Sequence, residues 1–162
     1  MRVRVLPKNM FDTLLQKIKI DEDNVESQNA AFISIVNSDL AETSFFKNDH
    51  SNVLRLVFDD TTQEENHNRL RKGLSELRVF SREQAQQILE FSNKHKDVET
   101  IYVHCLAGRS RSGAVGTFIN DVYGSQTFQQ FLQTNTTVSP NYYILALLRR
   151  VYNNIEDDDT NL

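Results

Sequence analysis

A single cysteine, Cys105, occurs in 162 residues, so no intramolecular disulfide is available to staple the fold. A basic excess is also missing. The 18 Lys and Arg residues stand against 22 Asp and Glu, a net charge of −4, which argues against the broad positive surface of a general nucleic-acid binder. No apolar run is long enough to cross a bilayer, and the opening residues MRVRVLPKNM contain no signal-like apolar stretch. Together these absences predict a reducing, cytoplasmic setting, with neither a membrane nor a specific nucleic acid as partner. No internal repeat, low-complexity linker or composition break divides the chain. The expectation is therefore one domain over residues 1–155, followed by a disordered acidic tail, EDDDTNL, at 156–162. At 39% hydrophobic content, that length can bury one core and not two.

What is present is an alternation of strand-like and helix-like segments. Phe11, Leu14, Leu15 and Ile18 recur at helical spacing, and the polar stretch DEDNVESQN follows as a surface loop. AFISIV (31–36), NVLRLVF (52–58) and TIYVHC (100–105) are rich in β-branched and aromatic residues and predict strands. Between the last two, Ser81 with Glu83 and Gln84 reads as the capped start of a helix with Ala85, Ile88 and Leu89 on one face. That is a β-α-β crossover. Ala114, Val115, Phe118, Ile119 and Val122 predict a largely buried helix stopped by Gly124. A short helix over Thr127–Thr134 follows, then a last one opened by Pro140, whose Ile144, Leu147, Leu148 and Val151 face the core. The sum is a single α/β domain with a central, mostly parallel sheet of four to five strands and helices on both faces.

Ligands of such sheets sit beyond the carboxyl ends of the strands, and there the sequence reads HCLAGRSRSG, His104–Gly113. A buried structural cysteine prefers apolar company. This one is followed within seven positions by a glycine, two arginines and two serines, which suit an anion. A strand ending at Cys105 and a helix starting near Arg111 would turn the backbone N–H groups of Leu106, Ala107, Gly108, Arg109, Ser110 and Arg111 into one phosphate-sized nest. Gly108 permits backbone angles that other residues resist, and Arg111 can hold two phosphate oxygens with its planar fork. A free cysteine titrates near about 8.5, and helix N-termini with neighbouring cations lower this to roughly 3.5–7.5. Cys105 is therefore expected to be a thiolate and a nucleophile toward phosphorus. Ser112 can hydrogen-bond the sulfur when it becomes the leaving group. The alcohol that leaves first needs a proton, and hence a general acid.

His104-Cys105, five residues, then Arg111-Ser112 resembles the H-C-x5-R-[ST] signature of the cysteine-dependent tyrosine and dual-specificity phosphatases. LRLVFDDT resembles the strand and acid loop of the small dual-specificity members, and VSPN at 138–141 resembles the segment opening their last core helix. The likeness spans roughly Ala31 to Tyr152. It implies the dual-specificity fold and hydrolysis of phosphate monoesters through a cysteinyl-phosphate, with no metal and no cofactor. The implied partner is a phosphorylated protein or another phosphomonoester, on phosphotyrosine and on phosphoserine or phosphothreonine. It also implies an aspartate acid on the loop after the second predicted strand, which maps to Asp60, with Asp59 its neighbour and rival. His104 would support the loop and the thiolate, and Asn141 would start the last helix with a bond to the loop. Members that carry the motif near their N-terminus, or that need a much longer domain, fit the chain less well.

The stretch between Asp60 and Cys105 is longer than in the small members, and the excess falls in Thr61–Phe80. It could extend the acid loop into a lid, and its basic cluster Arg69, Arg71 and Lys72 could touch substrate or form a solvated helix face. Two other functions remain open on sequence. One is a phospho-ligand binding module that turns over poorly, and the other is a related phosphatase acting on RNA 5′-phosphates or phosphoinositides.

Overall fold

The computed structural model describes residues 1–39 and 43–153, and the acidic tail expected at 156–162 lies outside them. The chain opens with a strand that the apolar patterning above does not single out. In β1, Arg2–Pro7, exposed Arg2 and Arg4 alternate with buried Val3 and Val5, the period-two pattern of a half-buried strand. It runs directly into α1, Lys8–Lys17. Then come β2 (Ala30–Val36), β3 (Val53–Val57), α2 (Gln63–Arg71), α3 (Arg82–Lys94) and β4 (Thr100–Cys105). The chain continues through α4 (Arg111–Tyr123), α5 (Phe128–Thr134) and α6 (Tyr142–Tyr152).

The four strands form one sheet in the order β1-β4-β2-β3, and every neighbouring pair is parallel. β2 is buried along its whole length, which is why it reads as an unbroken apolar run rather than an alternating one. One sheet face carries Ala31, Ile33 and Ile35 of β2 with Ile101, Val103 and Cys105 of β4, packed under α3, α4, α5 and α6. The other face carries Phe32 and Tyr102 against Phe11 and Leu15 of α1 and Phe46 from the β2–β3 connection. Both faces are covered, but unequally.

The helix ends follow local chemistry. Thr62 with Glu65, Ser81 with Gln84 and Thr127 with Gln130 each form a reciprocal capping box at the starts of α2, α3 and α5. Each contributes about 1 kcal/mol. α6 starts later than Pro140 suggests, because Asn141 is its N-cap and accepts the Ile144 N–H. α4 does end at Gly124, but Gly124 is extended rather than left-handed. A Cβ there would stand 2.3 Å from Asn120 Oδ1 and 2.7 Å from the Asn120 backbone, so only glycine fits the chain's close return. Residues 111–120 of α4 are all buried. β4 thus lies between β1 and β2, and a buried helix leaves its carboxyl end.

Candidate active site

The five residues between β4 and α4 turn over the end of β1. Gly108 has φ +65°, and a Cβ on it would lie 2.3 Å from the Pro7 nitrogen, so both backbone angle and space demand glycine. Four residues from two other parts of the chain hold the turn by its carbonyls. The Lys8 N–H donates to Leu106 O at 3.1 Å, the Thr137 hydroxyl to Gly108 O at 3.1 Å, and the Ser139 N–H to Arg109 O at 3.0 Å. The Asn141 N–H reaches Ser110 O at 3.1 Å. Among the described residues, the N–H groups of Leu106–Ser110 have no such partners. With the carbonyls tied outward, the amides stand at the positive end of a 13-residue helix, an arrangement able to receive an anion.

Cys105 is at the floor, 2% exposed, with Sγ 3.0 Å from Ser112 Oγ. His104, fully buried, lies on the opposite sheet face, where Nε2 and Ser34 Oγ are 2.6 Å apart. Its ring packs on Phe11 at 4.4 Å between centroids. Burial pushes its pKa down to about 4, outweighing the pull of the Cys105 carbonyl, so the imidazole is neutral at pH 7. His104 therefore holds the end of β4 as an uncharged hydrogen-bonding group. It adds no positive charge near the sulfur.

Arg111 is 5% exposed and its Nη1 donates to Asn37 Oδ1 at 2.5 Å and to Phe58 O at 2.9 Å. The two adjacent aspartates have different surroundings. Asp59 is buried and accepts from the Ser38 N–H at 3.0 Å, the Ser38 hydroxyl at 2.5 Å and the Arg78 N–H at 2.7 Å. Burial alone would raise its carboxyl, but these hydrogen bonds and the Arg111 charge outweigh it and hold the pKa below the ordinary value. Asp60 is exposed and turned to the cysteine's side. Its Oδ1 accepts from Ser110 Oγ at 2.8 Å and Asn141 Nδ2 at 3.0 Å.

A cavity of about 470 Å³ brings these groups together. Cys105, Arg111 and Asp60 line it with Leu106, Ala107, Arg109 and Ser110, and Ser139 and Pro140 close one side. Ser112 and Gly108 do not line it; Ser112 stands behind the sulfur, and Gly108 shapes the turn. Asn37, Ser38 and Thr137 belong to no motif in the sequence, although a polar residue directly after β2 stands where ligands of such sheets bind. α2 does not border this cavity. Its Gln63, Asn66, His67 and Leu70 line a separate space of about 580 Å³ with Ser38 and Arg78, while Arg71 and Lys72 are exposed and the Arg69 side chain folds back to Ser75. No group of three or more His, Cys, Asp or Glu among the described residues could hold a metal ion, and no described helix is long and apolar enough to cross a membrane.

No protein-family model matches the sequence, and no curated protein matches it. Solved structures do. A structure of PTPMT1 in complex with PI(5)P superimposes with a TM-score of 0.50 at 19% identity, over 95% of this chain and 92% of that one. A human tyrosine phosphatase-like serine/threonine/tyrosine-interacting protein superimposes with a TM-score of 0.51 at 20% identity, over 88% and 82%. The fold is that of the cysteine-dependent, dual-specificity-like phosphatases. The superpositions run over 88–95% of this chain and 82–92% of the two neighbours, so the likeness is to the whole domain and not to one part of it.

Proposed function

We propose that the protein is a phosphatase that hydrolyses phosphate monoesters through a cysteinyl-phosphate, with no step that requires a metal. One observation carries this reading: Cys105, Arg111 and Asp60 border a single cavity beside a turn whose amides have no partner among the described residues. The Cys105 sulfur attacks phosphorus in line as the P–O bond to the alcohol breaks, and protonated Asp60 gives its proton to that leaving oxygen. The amides and Arg111 hold the equatorial oxygens, where charge gathers in the transition state. In the second step the Asp60 carboxylate takes a proton from water, whose oxygen attacks phosphorus. The S–P bond then breaks, and Ser112, 3.0 Å from the sulfur, hydrogen-bonds the departing thiolate.

Asp60 is assigned as the acid because it faces the cavity, whereas Asp59 has three donors of its own and is spent on the loop. Phosphotyrosine, with phosphoserine and phosphothreonine, is the first substrate class to test. The PTPMT1 complex with PI(5)P makes a phosphoinositide the second. Hydrolysis of an aryl phosphate in EDTA should be robust in the wild type and vanish in Cys105→Ser. Retention of more than a trace by the serine variant would overturn the mechanism. Turnover of phosphopeptides against phosphoinositides then ranks the substrates.

A further inference from the structure

We propose that Asn37 is a positioning residue that clamps the Arg111 guanidinium through Nη1 and so presents its Nε–Nη2 edge to the bound oxyanion. The inference rests on the phosphatase reading above and adds to it a residue outside the cysteine motif. A guanidinium carries five N–H donors in a fixed plane. Both donors of Nη1 are taken, one by Asn37 Oδ1 and one by Phe58 O. Nε is buried with no partner, and among the described residues Nη2 has none either. These two nitrogens form one side of the fork, whose parallel N–H bonds match two oxygens of a phosphate. A buried donor left unpaired is costly, so this edge awaits an acceptor.

The chemistry of the clamp matters as much as its geometry. Both acceptors on Nη1 are neutral, an amide oxygen and a backbone carbonyl, so the guanidinium keeps its charge for the ligand. Asp59 feels the Arg111 charge through space, but its oxygens are already engaged by Ser38 and Arg78. The clamp is also braced. Asn37 is the first residue beyond β2, and the next residue, Ser38, is fastened to Asp59 by its N–H and its hydroxyl. Asn37 Oδ1 is therefore held from the sheet on one side and from the acid loop on the other.

Two substitutions separate the parts of this claim. Asn37→Ala removes the clamp and frees the fork to rotate. Asn37→Asp keeps an oxygen in place but sets a negative charge against the guanidinium. The full-length chain should be assayed for aryl phosphate hydrolysis, for binding of inorganic tungstate by calorimetry and for melting temperature, with Cys105→Ser as control. Asn37→Ala should lose about tenfold or more in kcat/KM and in tungstate affinity, the loss expected when a bidentate charged contact is misaligned. Asn37→Asp should melt at or above the wild-type temperature yet bind tungstate about tenfold more weakly, a split that a merely structural residue would not produce. Wild-type KM, kcat and tungstate affinity in both variants would overturn the inference while leaving the phosphatase reading intact. A wild type that turns nothing over, but binds tungstate less well when Asn37 is changed, would keep the clamp and overturn the enzyme. A wild type that does neither would overturn both.

Discussion

Ser110 Oγ donates to Asp60 Oδ1 at 2.8 Å, joining the turn before α4 to the turn after β3 across 50 positions of chain. Asn141, the cap of α6, adds a second donor to the same oxygen at 3.0 Å. These two bonds hold the candidate acid beside the turn after β4. In Ser110→Ala one of its two tethers is lost. Turnover of an alkyl phosphate, whose leaving group needs the proton, should fall severalfold, while an aryl phosphate with a good leaving group should change little. Equal losses on both substrates would mean that Ser110 acts on phosphate binding instead.

Asp59 and Asp60 should separate cleanly under substitution. Asp60→Asn removes the proton donor and should lower kcat on a poor leaving group by about 10²-fold or more, with an unchanged melting temperature. Asp59→Ala leaves Ser38 and the Arg78 N–H without their acceptor and should cost roughly 2 kcal/mol or more of stability. Urea unfolding of both variants beside their kinetics checks the division. A stable Asp59→Ala with the larger kinetic defect would exchange the two roles.

Asp59 also sets one limb of acid sensitivity. Its folded pKa lies below the ordinary 3.8, so its contribution is complete above that value and is lost as pH falls through the lower folded value. His104 acts over a different window. Its folded pKa of about 4 lies below the ordinary 6.5, so the unfolded chain binds the proton first and stability declines as pH drops from 6.5 toward 4. The full decline amounts to about 3 kcal/mol. Urea midpoints between pH 7 and 4.5 should show this slope in the wild type and lose most of it in His104→Gln. The same slope in both proteins would remove His104 as its source.

Gly108→Ala should disable the cradle without unfolding the sheet. The added methyl would meet Pro7 N at 2.3 Å on a backbone held at φ +65°, and left-handed geometry alone costs a non-glycine residue about 1–2 kcal/mol. Tungstate affinity should drop at least tenfold, with a modest fall in melting temperature. Undiminished affinity would show that the turn can reshape around the methyl.

Much of the site was legible because it is local. His104 to Ser112 fall within one strand, one turn and one helix, so spacing alone carries their arrangement. The same holds for the helix over Arg82–Lys94, where the Ser81 and Gln84 box is written in adjacent residues. What the sequence hid is long-range. Asn37 meets Arg111 across 74 positions, and nothing in its neighbours marks that contact. Asp59 and Asp60 carry the same side chain one residue apart, and only the hydrogen bonds that fold back from Ser38, Arg78, Ser110 and Asn141 tell them apart. β1 carries a strand's alternation, but only over Arg2–Val5 before Leu6 and Pro7 interrupt it, too short a run to stand out among the chain's apolar segments.

Apart from the Arg111 fork, the proposed anion cradle at this turn is made of main chain, and its shape is set by Lys8, Thr137, Ser139 and Asn141, none of which belongs to it. The side chains of Leu106, Ala107 and Arg109 are exposed and carry none of that framework. Those three positions form a collar around a socket built by other parts of the chain: substitutions in the collar should alter which anions are admitted and leave the socket where it is.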